Sequence, residues 1–144
     1  MNVPKIIKQL KKKYPGKQII KNKNADGEVV EIVCEVEPTE DHPEYSNIVA
    51  VIDNSILHMH KKATETYTVT KGELTVFMAD RNVQLKKGES LTIKPGEIHA
   101  TLGNETFITV YAEPGWTLDD HIGLKPIVKE YLRTDQDTFV PTSR

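Results

Sequence analysis

One stretch of the sequence indicates both the fold and a candidate site: residues 58–72, HMHKKATETYTVTKG. Successive side chains of a β-strand point to opposite faces, so His58 and His60 would share one face while Met59 takes the other. Glu65 lies far enough along to sit on an adjoining strand after a bend. Two imidazoles and a carboxylate suit divalent first-row metals. The stretch therefore predicts three ligands of a metal site.

A fourth ligand is offered by His99, which follows the turn-like sequence KPGEI at residues 94–98 and begins another β-rich run. Nitrogen and oxygen ligands without cysteine suit one divalent transition metal ion, and Fe, Mn, Ni, Co and Zn all remain open. The predicted metal ligands are therefore His58, His60, Glu65 and His99.

The spacing of these residues resembles the two sequence motifs of the cupin superfamily. The first motif is His-x-His, four residues, Glu, six residues and Gly, and it is present here as His58, His60, Glu65 and Gly72. The family's leading Gly is replaced by Ile52. In the second motif Gly88, Gly96 and His99 fit, Pro95 is shifted by one position, and Gly103 replaces the closing Asn.

This resemblance implies an all-β double-stranded β-helix, a jelly-roll barrel, preceded here by a short N-terminal helix. The sequence agrees, because short apolar runs between residues 30 and 112 are separated by turn signals such as Lys71-Gly72 and Lys87-Gly88. We expect an N-terminal helix and lead-in over residues 1–27, one barrel domain over 28–118, and a C-terminal extension over 119–144. Within that extension we expect a short helix from Pro126 to Leu132, followed by a tail.

Apolar residues recur with the period of a helix near the N-terminus and with the period of a strand after Gly27. Val3, Ile6, Ile7 and Leu10 fall on one helical face, and Tyr14-Pro15-Gly16 would end the helix. After Gly27, apolar residues alternate with Glu31, Glu35 and Glu37, which predicts a half-buried strand with its glutamates outward. Cys34 falls on the apolar side and is expected to be an inert core thiol.

Composition indicates an ordinary globular chain. Its 144 residues suit one domain, with 28% charged and 38% apolar residues and a net charge of −2. One cysteine gives no sign of an oxidising compartment, and no apolar run is long enough to span a membrane. We therefore expect a cytoplasmic protein that binds neither nucleic acid nor membranes. Eight lysines precede Asp26, but no interleaved aromatic residues or arginines accompany them for base stacking.

Several further residues are candidates for roles at the site. Tyr67 and Thr101 lie two residues from a predicted ligand and so share its face, with ordinary packing and lining of the cavity both open as roles. Tyr67 and Glu97 are the candidate catalytic residues. Trp116 is expected to be a structural anchor, with closure of the barrel mouth as the alternative. His42 and His121 lie in polar surroundings and are expected to be solvated.

Three functions are compatible with this pattern. The first is metal-assisted isomerisation or epimerisation of a small oxygen-rich substrate such as a sugar, hydroxyketone or keto acid. Near the motifs the only arginine is Arg81, so no phosphate clamp is evident. The second is a metal-dependent dioxygenase, and the third is a non-catalytic binding or sensor module. The resemblance to cupins also implies a homodimer.

Overall fold

One helix and eleven strands make up the part of the chain that the computed structural model describes, residues 1–123, 127–133 and 137–141. The elements are α1 (Val3–Lys13), β1 (Gln18–Lys23), β2 (Val29–Glu37), β3 (Ser46–His60), β4 (Thr64–Lys71), β5 (Glu73–Met78), β6 (Asn82–Lys86), β7 (Ser90–Ile93), β8 (His99–Glu113), a 3₁₀ turn (Leu118–Asp120), β9 (His121–Gly123), β10 (Val128–Leu132) and β11 (Phe139–Pro141). The predicted all-β fold with a short N-terminal helix is confirmed.

Helix α1 forms where its apolar spacing predicts it. The Asn2 side chain accepts a hydrogen bond from the backbone N–H of Lys5 at 3.3 Å, which caps the first turn. Ile6 and Leu10 are buried, so the apolar face packs against the barrel. The helix ends before Tyr14, as predicted. No helix among the described residues is both long and apolar enough to cross a lipid bilayer.

The eleven described strands pair antiparallel in one curved sheet. Its main order is β11-β10-β1-β2-β3-β8-β4-β7, and β5, β6 and β9 are attached at its sides. The long strands β3 and β8 form its centre. Both strands continue through residues 53–55 and 103–105, where polar residues interrupt the apolar runs of the sequence. The β3–β8 register shifts there, because a bulge absorbs extra residues without ending a strand.

The sheet β1–β2–β3 is covered on both faces. On the outer face, Ile32 and Cys34 pack in one cluster with Ile6 and Leu10 of α1. On the inner face, Val33 packs in the barrel core. The β2 strand is confirmed, but Glu31 and Glu35 do not lie on a solvent face, since both line a cavity inside the barrel. The helix covers the apolar face, and the glutamate face is turned inward.

The C-terminal segment extends the same sheet. Residues Val128–Leu132 form strand β10, which pairs with β1, so the predicted helix was wrong for these residues; Pro126 lies outside the described residues. The predicted tail contains β11, which pairs with β10. Glu130 of β10 lies 2.6 Å from Lys23 Nζ and 3.3 Å from Lys21 Nζ. The lysines of β1 therefore pair with the C-terminal segment.

Candidate metal centre

The four predicted metal ligands converge at one end of the barrel. His58 and His60 lie at the end of β3, Glu65 is on β4, and His99 begins β8. The β3–β8 register places His58 directly opposite His99. Each of the four side chains is buried, with 7% or less of its surface exposed. Three strands distant in sequence therefore place these groups together.

The candidate ligand atoms form a tight cluster. One ligand atom from each of the four residues lies within 4.8 Å of all the others. Glu65 Oε1 lies 2.9 Å from His60 Nε2 and 3.8 Å from His99 Nε2. Such spacing allows four groups to share one small cation.

Two of the imidazoles are oriented by backbone carbonyls. His58 Nδ1 lies 2.7 Å from the carbonyl oxygen of Ile56, and His99 Nδ1 lies 2.9 Å from that of Glu97. A carbonyl can only accept a hydrogen bond, so each Nδ1 carries the proton and donates it. Each Nε2 then keeps its lone pair, as in histidines that ligate metals.

His60 has the most unusual surroundings of the three. Both of its ring nitrogens are buried without a hydrogen-bond partner, although Nε2 lies 2.9 Å from Glu65 Oε1. Buried polar atoms nearly always have a partner. A cation among the four groups would take the lone pair of Nε2. The donor set and this unpartnered nitrogen both fit a divalent transition metal ion.

The pKa shifts of the candidate ligands also fit a metal site. Burial and the neighbouring His99 lower the pKa of His58 to about 4, and burial lowers the pKa of His99. Burial alone would raise the pKa of Glu65, but the adjacent His60 and the other imidazoles outweigh it and the net pKa is lowered. At neutral pH His58 and His99 therefore present neutral imidazoles and Glu65 a carboxylate, the forms that bind metals.

Asp120 holds the turn between the ligands of β3 and β4. Its carboxylate oxygens accept hydrogen bonds from the backbone N–H of Lys62 at 2.7 Å and of Ala63 at 2.9 Å. The backbone N–H of Lys61 also donates to the carbonyl oxygen of Asp120 at 3.2 Å. This buried carboxylate fixes the chain between His60 and Glu65.

A cavity of about 90 Å³ opens beside the cluster, and most of its wall is apolar. Tyr67 and Thr101 line it, the second of the two roles that the sequence left open. The Tyr67 hydroxyl lies 3.1 Å from His99 Nε2 and 3.3 Å from Glu65 Oε1. Burial and the Glu65 charge raise the pKa of Tyr67 well above its usual value. Glu97 is not among the lining residues, so its suggested role as a base stays a prediction.

His121 is part of this site, and its expected solvated position was wrong. Strand β9 pairs His121 with His60, and the His121 ring stacks on that of His58 with centroids 4.7 Å apart. Burial and His58 lower the pKa of His121 to about 2. The polar sequence around His121 did not indicate exposure, because the neighbouring Asp120 is itself buried. His42 lies outside the cavity, stacked on Tyr45.

The sequence also missed a second polar group in the cavity wall. Asn22, Glu31 and Lys129 all line the cavity. Trp116, expected as an anchor, lines it too, with its ring centroid 6.1 Å from that of His121. No sequence pattern marked Asn22, Glu31 or Lys129 as part of a site, because these residues lie on strands that the sequence analysis missed or assigned to the opposite face.

Comparison with known proteins agrees with the fold. Residues 48–111 match the family described as Cupin domain. Among solved structures, Streptomyces PAC13 with uridine aligns with a TM-score of 0.60 and 11% identity, covering 66% of this chain and 78% of that one. That structure is of a tyrosine-to-phenylalanine variant, and another structure, of Pac13, is described as that of a nucleoside dehydratase. No curated protein matches in sequence.

Two further solved structures align over most of their length. KdgF from Halomonas sp. gives a TM-score of 0.55 at 16% identity, covering 65% of this chain and 86% of that one. Ectoine synthase from P. lautus gives 0.52 at 15% identity, covering 61% and 67%. At these identities the likeness concerns the barrel fold alone.

Proposed function

We propose that this chain, of which residues 48–111 match the Cupin domain family, is a metal-dependent enzyme acting on a small oxygen-rich molecule by isomerisation or epimerisation. The substrate classes are sugars, hydroxyketones and keto acids. The observation that carries the proposal is the convergence of three imidazoles and a carboxylate within 4.8 Å beside a largely apolar cavity.

His58, His60, Glu65 and His99 would hold the ion. When bound, a divalent ion would polarise substrate oxygens and make an adjacent C–H more acidic. The reaction needs no oxidant, because one proton leaves a carbon beside a carbonyl and one returns to the same or the neighbouring carbon.

The protein's own groups support such a reaction. The apolar wall limits competing water and strengthens electrostatic interactions inside the cavity. The Tyr67 hydroxyl lines the cavity and donates a hydrogen bond to Glu65 Oε1, and it would redirect that hydrogen bond to an oxygen of a bound substrate. Asp120 keeps the His60–Glu65 turn in position.

The first test is metal content. Elemental analysis should find about one equivalent of Fe, Mn, Ni, Co or Zn in the untagged protein and a loss of it in His60→Ala. His42→Ala is the matched control, because His42 lies outside the cavity and should leave metal content unchanged. Equal metal content in wild type and His60→Ala would overturn the site.

The second test is proton exchange. The metal-loaded protein is incubated in D₂O with a panel containing an aldose, a hydroxyketone and a keto acid, and deuterium on carbon is followed by NMR. We expect incorporation with at least one class and none with His60→Ala. Oxygen uptake without incorporation would favour a dioxygenase. Saturable binding with neither reaction would favour a binding module.

A further inference from the structure

We propose that Lys129, Asn22 and Glu31 form an anion subsite in the same cavity, which binds the carboxylate of a small hydroxy or keto acid. The proposal rests on the proposed function and narrows its substrate class. The three residues lie on three adjacent strands, β10, β1 and β2. The sheet register pairs Asn22 with Lys129 on one side and with Glu31 on the other.

A hydrogen-bonded row joins the three side chains. Lys129 Nζ donates to Asn22 Oδ1 at 2.9 Å, and Asn22 Nδ2 donates to Glu31 Oε1 at 2.5 Å. Lysine can only donate, so the orientation of the Asn22 amide follows from its neighbours. The row is therefore an ordered feature of the cavity wall.

Among the described residues, no carboxylate lies within ion-pair distance of Lys129, although the charges of Glu31 and Glu35 act on it from farther away. Asn22 occupies only one of its three donors. Burial lowers its pKa, against the opposing effect of Glu31 and Glu35. A cation removed from water without an anion costs free energy, and a carboxylate entering the cavity would offset that cost.

Glu31 does not oppose this assignment. Its pKa is raised, chiefly by burial, so its carboxyl group binds a proton more readily than an exposed glutamate. An anion beside Glu31 would raise that pKa further, so carboxylate binding would be accompanied by proton uptake at Glu31, and a protonated carboxyl donates a hydrogen bond to an anion rather than repelling it. With Asn22 holding one oxygen, the protonated Glu31 would then be a second donor beside Lys129.

The same wall connects this subsite to the candidate metal ligands. Lys129 Nζ lies 5.5 Å from the centre of the Trp116 ring, Trp116 lies 6.1 Å from the His121 ring, and His121 stacks on His58. Of the residues that the structure describes, one lysine and no arginine line the cavity, which suits a carboxylate better than a phosphate. A small acid could therefore direct its carboxylate to Lys129 and its other oxygens to the metal.

Trp116 provides a direct assay, because it is the single tryptophan and lies beside Lys129. Its fluorescence is titrated with lactate, pyruvate and malonate, with neutral lactamide, and with inorganic phosphate, in metal-free and metal-loaded protein. We expect saturable change with at least one carboxylate and none with lactamide. Lys129→Met should weaken binding at least tenfold, and Lys129→Arg should retain it.

Lys23→Met is the matched control, since Lys23 pairs with Glu130 outside the cavity and should bind as wild type. Circular dichroism checks that each variant folds. No saturable change with any carboxylate, equal binding by Lys129→Met, or binding of phosphate or lactamide alone would overturn the subsite.

The metal-free titration separates the two proposals. Carboxylate binding that depends on Lys129 but persists in His60→Ala supports the subsite even if no proton exchange is detected. Proton exchange with a KM unchanged in Lys129→Met supports the enzyme and overturns the subsite.

Discussion

Gly103 lies so close to the backbone of Ile52 that a Cβ at Gly103 would stand 2.7 Å from the Ile52 carbonyl oxygen and 2.6 Å from Thr106 Oγ1. Both positions depart from the cupin motifs, Ile52 at the leading Gly and Gly103 at the closing Asn. The two departures meet at the β3–β8 bulge, where Ile52 pairs with Thr106. The missing side chain at 103 makes room for the strand that carries Ile52.

Gly103→Ala should therefore destabilise the protein by about 1–3 kcal/mol, because a backbone oxygen cannot move aside as a side chain can. Thermal unfolding followed by circular dichroism measures the loss. Leu102→Ala is the control, since Leu102 is exposed and should change the melting temperature little. Equal melting temperatures for Gly103→Ala and wild type would contradict the close approach.

Asp120→Ala should weaken metal binding about 10–100-fold, the usual effect of removing a group that supports a ligand. The change leaves the backbone N–H groups of Lys62 and Ala63 without their acceptors and loosens the turn before Glu65. Competition with a chelator measures the affinity. Asp119→Ala, at the exposed neighbour, should match wild type. If both variants bind metal equally well, Asp120 does not position the ligands.

The metal-free protein should lose stability as pH falls below about 6.5, the ordinary histidine pKa. Unfolded histidines bind protons there, whereas folded His58 stays neutral until about pH 4 and His121 until about pH 2. The unfolded state then binds more protons, so each histidine removes up to about 1.4 kcal/mol per pH unit. Urea unfolding between pH 7 and 5 measures this slope. His121→Leu should make it shallower, and His42→Leu should not.

The Cys34 thiol should react slowly with thiol reagents in the folded protein. It is fully buried, and burial with the nearby Glu35 raises its pKa to about 11, so little thiolate exists at neutral pH. Labelling with Ellman's reagent should be slow in native protein and complete in urea. Rapid labelling under native conditions would show that the cluster beneath α1 opens readily.

The four ligand positions could be predicted because they depend on local rules. Strand alternation puts His58 and His60 on one face, and the spacing to Glu65 fits one turn between two strands. His99 follows a Pro-Gly turn that starts a strand. Helix α1 was equally predictable, since Asn2 and the apolar spacing specify it without distant contacts.

The other end of the cavity could not be predicted, because it depends on which face of each strand is covered. The alternation of β2 is equally compatible with outward or inward glutamates, and only the packing of α1 on Cys34 decides it. Residues 128–132 are too few to distinguish a strand from a helix by period. Without β10, Lys129 had no neighbour that would indicate a role.

The candidate metal ligands and the proposed anion subsite thus lie on different strands of the barrel. Strands β3, β4 and β8 carry the candidate metal ligands, whereas β1, β2 and β10 carry Asn22, Glu31 and Lys129. Substitutions on the second set can exchange one substrate for another without touching a metal ligand. The same metal chemistry could in this way be redirected to new molecules by changes in strands that lie outside both sequence motifs.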